Sequence, residues 1–100
     1  MLSQDEKKYG LKRFDVISQL TNINSSFAFA FCLGNVWKYL TRYTSIADKS
    51  NNENDIEKCH NYIDRAIVIN PFYSSFCGRI REEIQEKDYH KAIDTIQFLL

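Results

Sequence analysis

The chain has 100 residues, of which 44% are hydrophobic and 14% aromatic, and its 13 basic side chains balance its 13 acidic ones. A chain of this length buries one hydrophobic core, which predicts a single domain over residues 1–100. Zero formal net charge argues against duplex DNA or RNA as a partner, because such binding depends on a basic face that displaces counterions. It also argues against a polybasic membrane anchor, and the apolar run from Phe27 to Leu33 is far shorter than the roughly 20 residues that span a bilayer.

The cysteines and the N-terminal residues indicate a compartment. Cys32, Cys59 and Cys77 are far apart, and no pair has the short spacing of a zinc or redox site. We expect three reduced thiols in the core. The charged segment from Met1 to Lys8 has no apolar stretch behind it, so it does not resemble a signal peptide. These features predict a cytoplasmic protein.

Three glycines and one proline are few chain breakers, which favours long helices. The first helix is predicted over about Leu11 to Leu20, followed by a loop from Thr21 to Ser26 that offers an N-cap. The second helix is predicted over Phe27 to Tyr43. Its apolar side at helical spacing consists of Leu33, Val36, Trp37 and Leu40.

A second side of this helix is polar and cationic. Residues at i, i+4, i+7 and i+11 align along one side of a helix. They are Phe31, Asn35, Lys38 and Arg42, with Tyr39 at the border.

A third helix is predicted after the polar loop from Asp48 to Asn54. Asn54 with Glu57 three positions later resembles a capping box, and Asn70-Pro71 ends the helix. Its predicted buried side consists of Ile56, Cys59, Ile63, Ala66 and Ile67, and its second, polar side consists of Asp55, Lys58, Tyr62 and Arg65.

Residues 72–100 are predicted to form a C-terminal helical hairpin. Its first helix covers about Ser75 to Lys87, and Asp88 caps the last helix. The expected inward residues are Phe76, Ile80 and Ile84 in the first of these helices, and Tyr89, Ala92, Ile93, Ile96 and Leu99 in the second. The predicted fold is therefore all-α, a compact bundle of four to five short helices.

Most catalytic signatures are absent from the sequence. There is no P-loop, and His60 and His90 stand without a nucleophile motif. Glu82, Glu83 and Glu86 have an E-x-x-E spacing that can hold Mg²⁺ on a helix. The basic residues interleaved with them favour a solvated, salt-bridged face instead, and no metal site is predicted.

The cationic side of the second helix carries the best candidate site. Lys38 and Arg42 lie one turn apart and can clamp a phosphate, the arginine by its forked donors and the lysine as a point charge. Asn35 can hydrogen-bond a base or sugar, and Tyr39 can stack on a ring. The alternative is an ordinary exposed helix face that pairs with acids such as Asp55.

A family resemblance bears on this choice. Residues 31–42 (FCLGNVWKYLTR) resemble the G-N-x-x-K-Y-x-x-R signature of a family of small phage proteins, which includes a nucleotide kinase without a P-loop. Residues 55–63 (DIEKCHNYI) are similar to the D-L-x-K-A-x-x-Y-L helix of that family, and Tyr9 and residues 14–18 weakly resemble its N-terminal element. The resemblance covers about residues 9–68. Lys8 stands where the family has a histidine, and Ser18 stands where it has an acid.

The resemblance implies a nucleotide-binding protein, foremost a kinase of deoxynucleoside monophosphates with ATP or another nucleotide as phosphate donor. Lys38 and Arg42 would be the catalytic residues that hold phosphates, with Lys58 on the facing helix. Asp15 or Asp55 would hold a Mg²⁺ or fix the cations. If the gene is a phage gene, the compartment is the cytoplasm of the bacterial host.

Two other functions stay open. A non-catalytic protein that sequesters a nucleotide second messenger would use the same cations and would not need the missing acid. A helical protein-interaction module is the third, since residues 66–71 and 88–93 are reminiscent of a tetratricopeptide unit, although such arrays need about three units. Seven Phe, six Tyr and one Trp are many large rings for a small bundle, which predicts a homo-oligomer.

Overall fold

The computed structural model describes residues 16–45 and 53–100. Over these ranges the chain is helical and contains no strand, which confirms the all-α bundle predicted from the sequence. None of the described helices is long and apolar enough to cross a membrane. The elements are α1 (Val16–Ile23), α2 (Ser25–Thr44), α3 (Glu53–Ile69), one turn of 3₁₀ helix (Pro71–Tyr73), α4 (Ser74–Gln85) and α5 (Tyr89–Leu99).

The junction of α1 and α2 is shorter than predicted. The expected loop from Thr21 to Ser26 is wrong, because α1 continues to Ile23 and only Asn24 separates the two helices. Asn24 has an extended backbone, and its side-chain oxygen accepts a hydrogen bond from the Phe27 N–H at 3.1 Å. One N-cap residue is therefore enough to reverse the chain. The predicted start of the first helix, at residues 11–15, lies outside the described residues.

The start of α3 also differs from the prediction. The helix includes Glu53 and Asn54, so the Asn54–Glu57 pair lies within the helix and does not cap it. The predicted end is confirmed, because α3 stops at Ile69 and Pro71 opens the 3₁₀ turn. The loop predicted from Asp48 falls mostly outside the described residues.

Helix α4 ends two residues earlier than the predicted Lys87. Lys87 has a left-handed backbone (φ 62°), and its N–H bonds the Ile84 carbonyl at 3.0 Å while the Asp88 N–H bonds the Glu83 carbonyl at 2.8 Å. This is the Schellman motif, in which a residue with left-handed backbone, here Lys87, ends the helix. The two hydrogen bonds satisfy carbonyls of its last turn. Asp88 occupies the N-cap position of α5, but its side chain makes no capping hydrogen bond.

One hydrophobic core joins all five helices. Side chains without exposed surface come from α2, α3, α4 and α5, and Ile17 of α1 is 7% exposed. The three cysteines are buried and free, as predicted. Trp37, predicted on the apolar side of α2, is instead 37% exposed, since a ring this large fits at the edge of a small core. The fully buried residues include Leu33, Val36, Leu40, Cys59, Ile63, Ala66, Ile80, Ala92 and Ile96.

Consecutive long helices run antiparallel. Arg42 near the end of α2 meets Asp55 near the start of α3, and Phe29 near the start of α2 stacks on Tyr73 beyond the end of α3. In the C-terminal hairpin, Thr95 of α5 donates to Glu83 of α4 at 2.8 Å. This arrangement places the cationic side of α2 opposite the first half of α3.

Candidate functional site

The candidate site is centred on the ring of Tyr39 in α2. The Lys38 ammonium lies 4.6 Å from the ring centroid, the Lys58 ammonium 5.1 Å and the Arg42 guanidinium carbon 5.3 Å. A cation this close to an aromatic face is attracted by the negative face of its quadrupole. Lys38, Arg42 and Lys58, gathered around Tyr39, form what we call the cationic cluster.

Arg42 is held in place by Asp55. Its Nε donates to Asp55 Oδ2 at 3.3 Å, and its Nη2 donates to Asp55 Oδ1, so the guanidinium grips both carboxylate oxygens. Asp55 is fully buried, whereas the Arg42 side chain is 33% exposed. Asp55 lies on the same side of α3 as Lys58 and Tyr62, and it is buried there because Arg42 pairs with it in the interface of the two helices. Asp55 fixes a cation, which is one of the two roles that the resemblance implies for it.

The ring that organises the cluster is itself braced. Tyr62, one turn after Lys58 on α3, stacks on Tyr39 with centroids 6.0 Å apart and planes 20° apart. Offset stacking of this kind adds about 0.5–1.5 kcal/mol beyond the buried area. Helices α2 and α3 therefore each contribute one aromatic ring and one lysine to the cationic cluster. Both lysine ammonium groups are held by contact with the Tyr39 ring.

The charge of the cluster is positive. Three cations lie around Tyr39, and Asp55 is the one carboxylate that described contacts bring to them. In the described part of the chain, neither Lys38 nor Lys58 takes part in a salt bridge. Among the residues that the structure describes, these contacts bring three positive charges and one negative charge together.

Asn35 lies one turn before Tyr39 on the same side of α2. Its side-chain nitrogen donates to the Phe31 carbonyl of its own helix at 2.8 Å. The side-chain oxygen of Asn35 is an acceptor, so it can accept a hydrogen bond from a ligand. Asp15, predicted to hold a metal or a cation, lies outside the described residues.

The structure therefore brings together five of the predicted site residues: Lys38, Tyr39, Arg42, Asp55 and Lys58. Tyr62 was placed on the polar side of α3 but was not predicted as a site residue. The signal was present, because Tyr62 follows Lys58 by four positions and so shares its side of the helix.

The position where the resemblance departs at Ser18 has a structural neighbour. Arg65 Nη2 of α3 donates to the Ser18 hydroxyl of α1 at 3.3 Å. Arg65 lies seven residues beyond Lys58, about 10 Å along α3, so this contact is separate from the cationic cluster.

The other chemical candidates are structural. Glu83 was predicted on a solvated acidic face, but it is only 5% exposed and accepts from Thr95, since α5 packs over it. No group of histidine, cysteine and acidic residues suited to a metal ion occurs among residues 16–45 and 53–100. His60 is partly buried, and desolvation is the main reason why its pKa is lowered, followed by the nearby Arg81.

These features define a small helical bundle in which one antiparallel helix pair presents a cationic cluster. The chain belongs to DUF3310, a family of proteins of unknown function, whose family model matches residues 6–64. The match contains every residue of the cationic cluster together with Tyr62, and it ends before α4 and α5. No curated protein and no solved structure matches the chain significantly.

Proposed function

We propose that this protein binds a nucleotide, whose phosphate lies between Lys38 and Lys58. The observation that carries the proposal is the convergence of three cations on the Tyr39 ring, which places two lysine ammonium groups beside each other without a salt bridge among the described residues. A phosphate monoester carries about 1.5 to 2 negative charges at pH 7, which two lysines would neutralise. Arg42 stays on Asp55, and the two lysines supply the donors.

The nucleoside end of the ligand would extend along α2 toward Asn35. The amide oxygen of Asn35 accepts a hydrogen bond from a base or sugar one helical turn from Lys38. Tyr39 already stacks on Tyr62, so in this proposal its ring positions the three cations and does not stack on the base. Reduced, buried cysteines fit a role in the bacterial cytoplasm, where nucleotides are metabolised.

Phosphoryl transfer from ATP to a deoxynucleoside monophosphate is the reaction that the phage-family resemblance implies for this site. Such transfer requires mainly in-line positioning and neutralisation of charge on the transferred group. Lys38 and Arg42 would neutralise that charge, and Asp15 would be the acid available for a Mg²⁺.

Sequestration without catalysis is the second candidate function, and one observation favours it. Asp55 is buried and bound by Arg42 through both oxygens, so it is not free to act as a base or a metal ligand. A binding protein needs only the lysines and a shape that fits the ligand.

A nucleotide balance separates these functions. Purified protein is incubated with ATP, Mg²⁺ and a panel of mono-, di- and cyclic nucleotides and is then ultrafiltered. The filtrate and the heat-denatured retentate are both chromatographed. New diphosphates in the filtrate identify a kinase, whereas an unchanged nucleotide released only from the retentate identifies a sequestering protein. If no diphosphate forms and no nucleotide is released from the retentate, nucleotide binding is refuted.

Variants test the site itself. Lys38→Ala and Lys58→Ala should each lower nucleotide affinity about 10- to 100-fold, because a hydrogen bond to a charged group contributes about 1.5–3 kcal/mol. Arg79→Ala removes an exposed cation of α4 and is the matched control, with affinity unchanged. Wild-type affinity in the Lys38→Ala, Lys58→Ala double variant would remove the cluster as the binding site.

A further inference from the structure

Three segments that contain no charged residue meet toward one end of the bundle. Residues 16–37, 66–78 and 95–100 contain no Asp, Glu, Lys or Arg, so the charged residues of the described chain lie between and outside these three segments. The antiparallel order brings the segments together, because the start of α2 adjoins the end of α3 and the 3₁₀ turn. Helix α5 returns to the same end. Its first residue, Tyr89, contacts Tyr43 near the end of α2, and the helix then runs antiparallel to α4.

This end, which we call the charge-free end, is also where exposed apolar side chains collect. All eight large hydrophobic residues that are exposed in the described chain belong to the three segments, and six of them are between 57% and 85% exposed. The other two, Val16 and Trp37, are 39% and 37% exposed. The six are Ile23, Phe27, Val68, Phe72, Phe98 and Leu100. A surface that exposes several large apolar side chains marks an interaction site on a small protein.

Uncharged polar residues surround these rings and aliphatic side chains. Asparagine and serine side chains each contain both a donor and an acceptor, so each can pair with an identical group. A charged side chain on the two-fold axis would meet its own like charge, and a charge-free patch avoids this wherever the axis falls. The polar residues at this end are Asn22, Asn24, Ser25, Ser26, Asn70, Ser74 and Ser75.

We propose that the charge-free end packs against the same end of a second copy of this chain, in a two-fold symmetric dimer. In such a contact each residue faces a surface identical to its own, which a charge-free patch of aromatic and amide groups tolerates without repulsion. Aromatic enrichment and depletion of charge are also the composition of interface cores. An acidic or basic protein would find no opposite charge here, and an anionic membrane would find no lysine or arginine.

The dimer would leave the cationic cluster open. Phe29 and Tyr39 are ten residues apart on α2, which corresponds to about 15 Å along a helix. Each dimer would therefore carry two separate clusters, pointing away from the shared end. This inference does not depend on nucleotide binding.

The test is the mass of the purified protein by sedimentation velocity between about 1 and 200 μM, the range in which a dissociation constant of micromolar order appears as a shift. The expected result is a monomer–dimer equilibrium whose dissociation constant is the same in 50 and 500 mM NaCl, because no charge lies in the contact. A monomer at every concentration, or a dimer that weakens strongly with salt, would overturn the proposal.

Variants locate the contact. Phe72→Glu and Phe98→Glu place a charge on side chains that are 85% and 82% exposed, so the helical circular dichroism should not change. Each should raise the dimer dissociation constant at least about 30-fold, the range of an interface hot spot. Gln85→Glu adds the same charge at the far end of α4 and should leave the dimer intact. A dimer that survives both phenylalanine variants would lie elsewhere and would refute this surface.

A mixing experiment tests the symmetry. Phe72→Glu and Phe72→Lys should each be monomeric alone, and a heterodimer formed when they are mixed would place residue 72 of one copy near residue 72 of the other. Binding of the wild-type protein to neutral phosphatidylcholine vesicles, with no dimer in solution, would identify a lipid surface as the occupant and would also refute the proposal.

Discussion

Asp55 is the residue whose surroundings differ most from the sequence prediction, and its burial changes how Arg42 must be interpreted. A carboxylate with no exposed surface depends on its counterion. Breaking a fully buried pair destabilises a protein by about 3–5 kcal/mol, and this pair falls below that range because the Arg42 side chain is 33% exposed. Total stabilities of domains are only about 5–15 kcal/mol, so the pair holds a large share of this bundle's stability.

We therefore predict that Arg42→Ala lowers the free energy of unfolding by about 2–3 kcal/mol in urea denaturation. Arg81→Ala is the control, because Arg81 pairs with Asp64 at the surface, where a salt bridge contributes at most about 1 kcal/mol. Adding Asp55→Asn to Arg42→Ala should recover part of the loss. Equal effects of the two arginine variants would show that Asp55 is not a buried charge in solution.

Cys59 shares this environment and gives a prediction about pH. Burial, and then the charge of Asp55, raises the pKa of the Cys59 thiol from 9.0 to about 12. Its Sγ lies 3.7 Å from the Val36 carbonyl on α2. Above pH 9 the unfolded chain releases the thiol proton while the folded chain keeps it. The free energy of unfolding therefore falls as pH rises from 9 toward 12.

Urea denaturation of the wild type and of Cys59→Ala at pH 8, 9 and 10 isolates this effect from the titration of lysines and tyrosines. The stability advantage of the wild type should shrink by about 1 kcal/mol between pH 8 and pH 10. A constant difference would mean that Cys59 ionises in the folded protein as readily as in the unfolded chain.

At the scale of the helix, Gly34 stands out because nothing in the fold requires a glycine there. It lies in the interior of α2, and a Cβ added to it would meet no atom within 4 Å. Glycine in a helix is less favourable than alanine by about 0.8–1 kcal/mol. A glycine also lets another molecule approach the backbone closely, and Gly34 lies one turn before Lys38.

We predict that Gly34→Ala raises the free energy of unfolding by about 0.5–1 kcal/mol and weakens nucleotide binding. Gly78→Ala is the matched control, because Gly78 also lies inside a helix, α4, with open space around it. It should stabilise the protein to a similar degree and leave binding unchanged. Unaltered affinity in Gly34→Ala would show that no ligand rests on this part of α2.

Helix ends were predictable where one residue type determines them and not where two signals compete. Pro71 fixed the end of α3 correctly, because proline constrains the residue before it. The junction at Asn24 was drawn too long, since a run of Asn and Ser predicts a loop as readily as a single cap. The C-terminus of α4 depends on the left-handed backbone of Lys87. A glycine at this position would have predicted that end, but the residue is a lysine.

The site could be predicted within each helix but not between helices. Periodicity of 3.6 places Asn35, Lys38 and Arg42 along one side of α2 in any fold. The register of α2 against α3 depends on packing, and so the Tyr39–Tyr62 stack and the burial of Asp55 followed only from the structure. The charge-free end belongs to the same class, because its three segments are distant in sequence and meet through the antiparallel order.

At the scale of the whole molecule, the two proposed surfaces make separate contributions to stability. A ligand that binds only the folded state stabilises it by about 2.7 kcal/mol at 100 times its dissociation constant, and a partner copy acts by the same law. For a domain of this size each kcal/mol shifts the melting temperature by about 4–8 °C. Sites about 15 Å apart without shared residues are expected to act additively.

We predict that the melting temperature rises with nucleotide concentration and, independently, with protein concentration. Phe72→Glu should abolish the dependence on protein concentration and keep the nucleotide shift, whereas the Lys38→Ala, Lys58→Ala double variant should do the reverse. Differential scanning calorimetry of all three proteins measures both slopes. Loss of the nucleotide shift in a folded, monomeric Phe72→Glu would mean that the second copy completes the nucleotide site, because a site formed by α2 and α3 of one chain alone has no other reason to depend on Phe72.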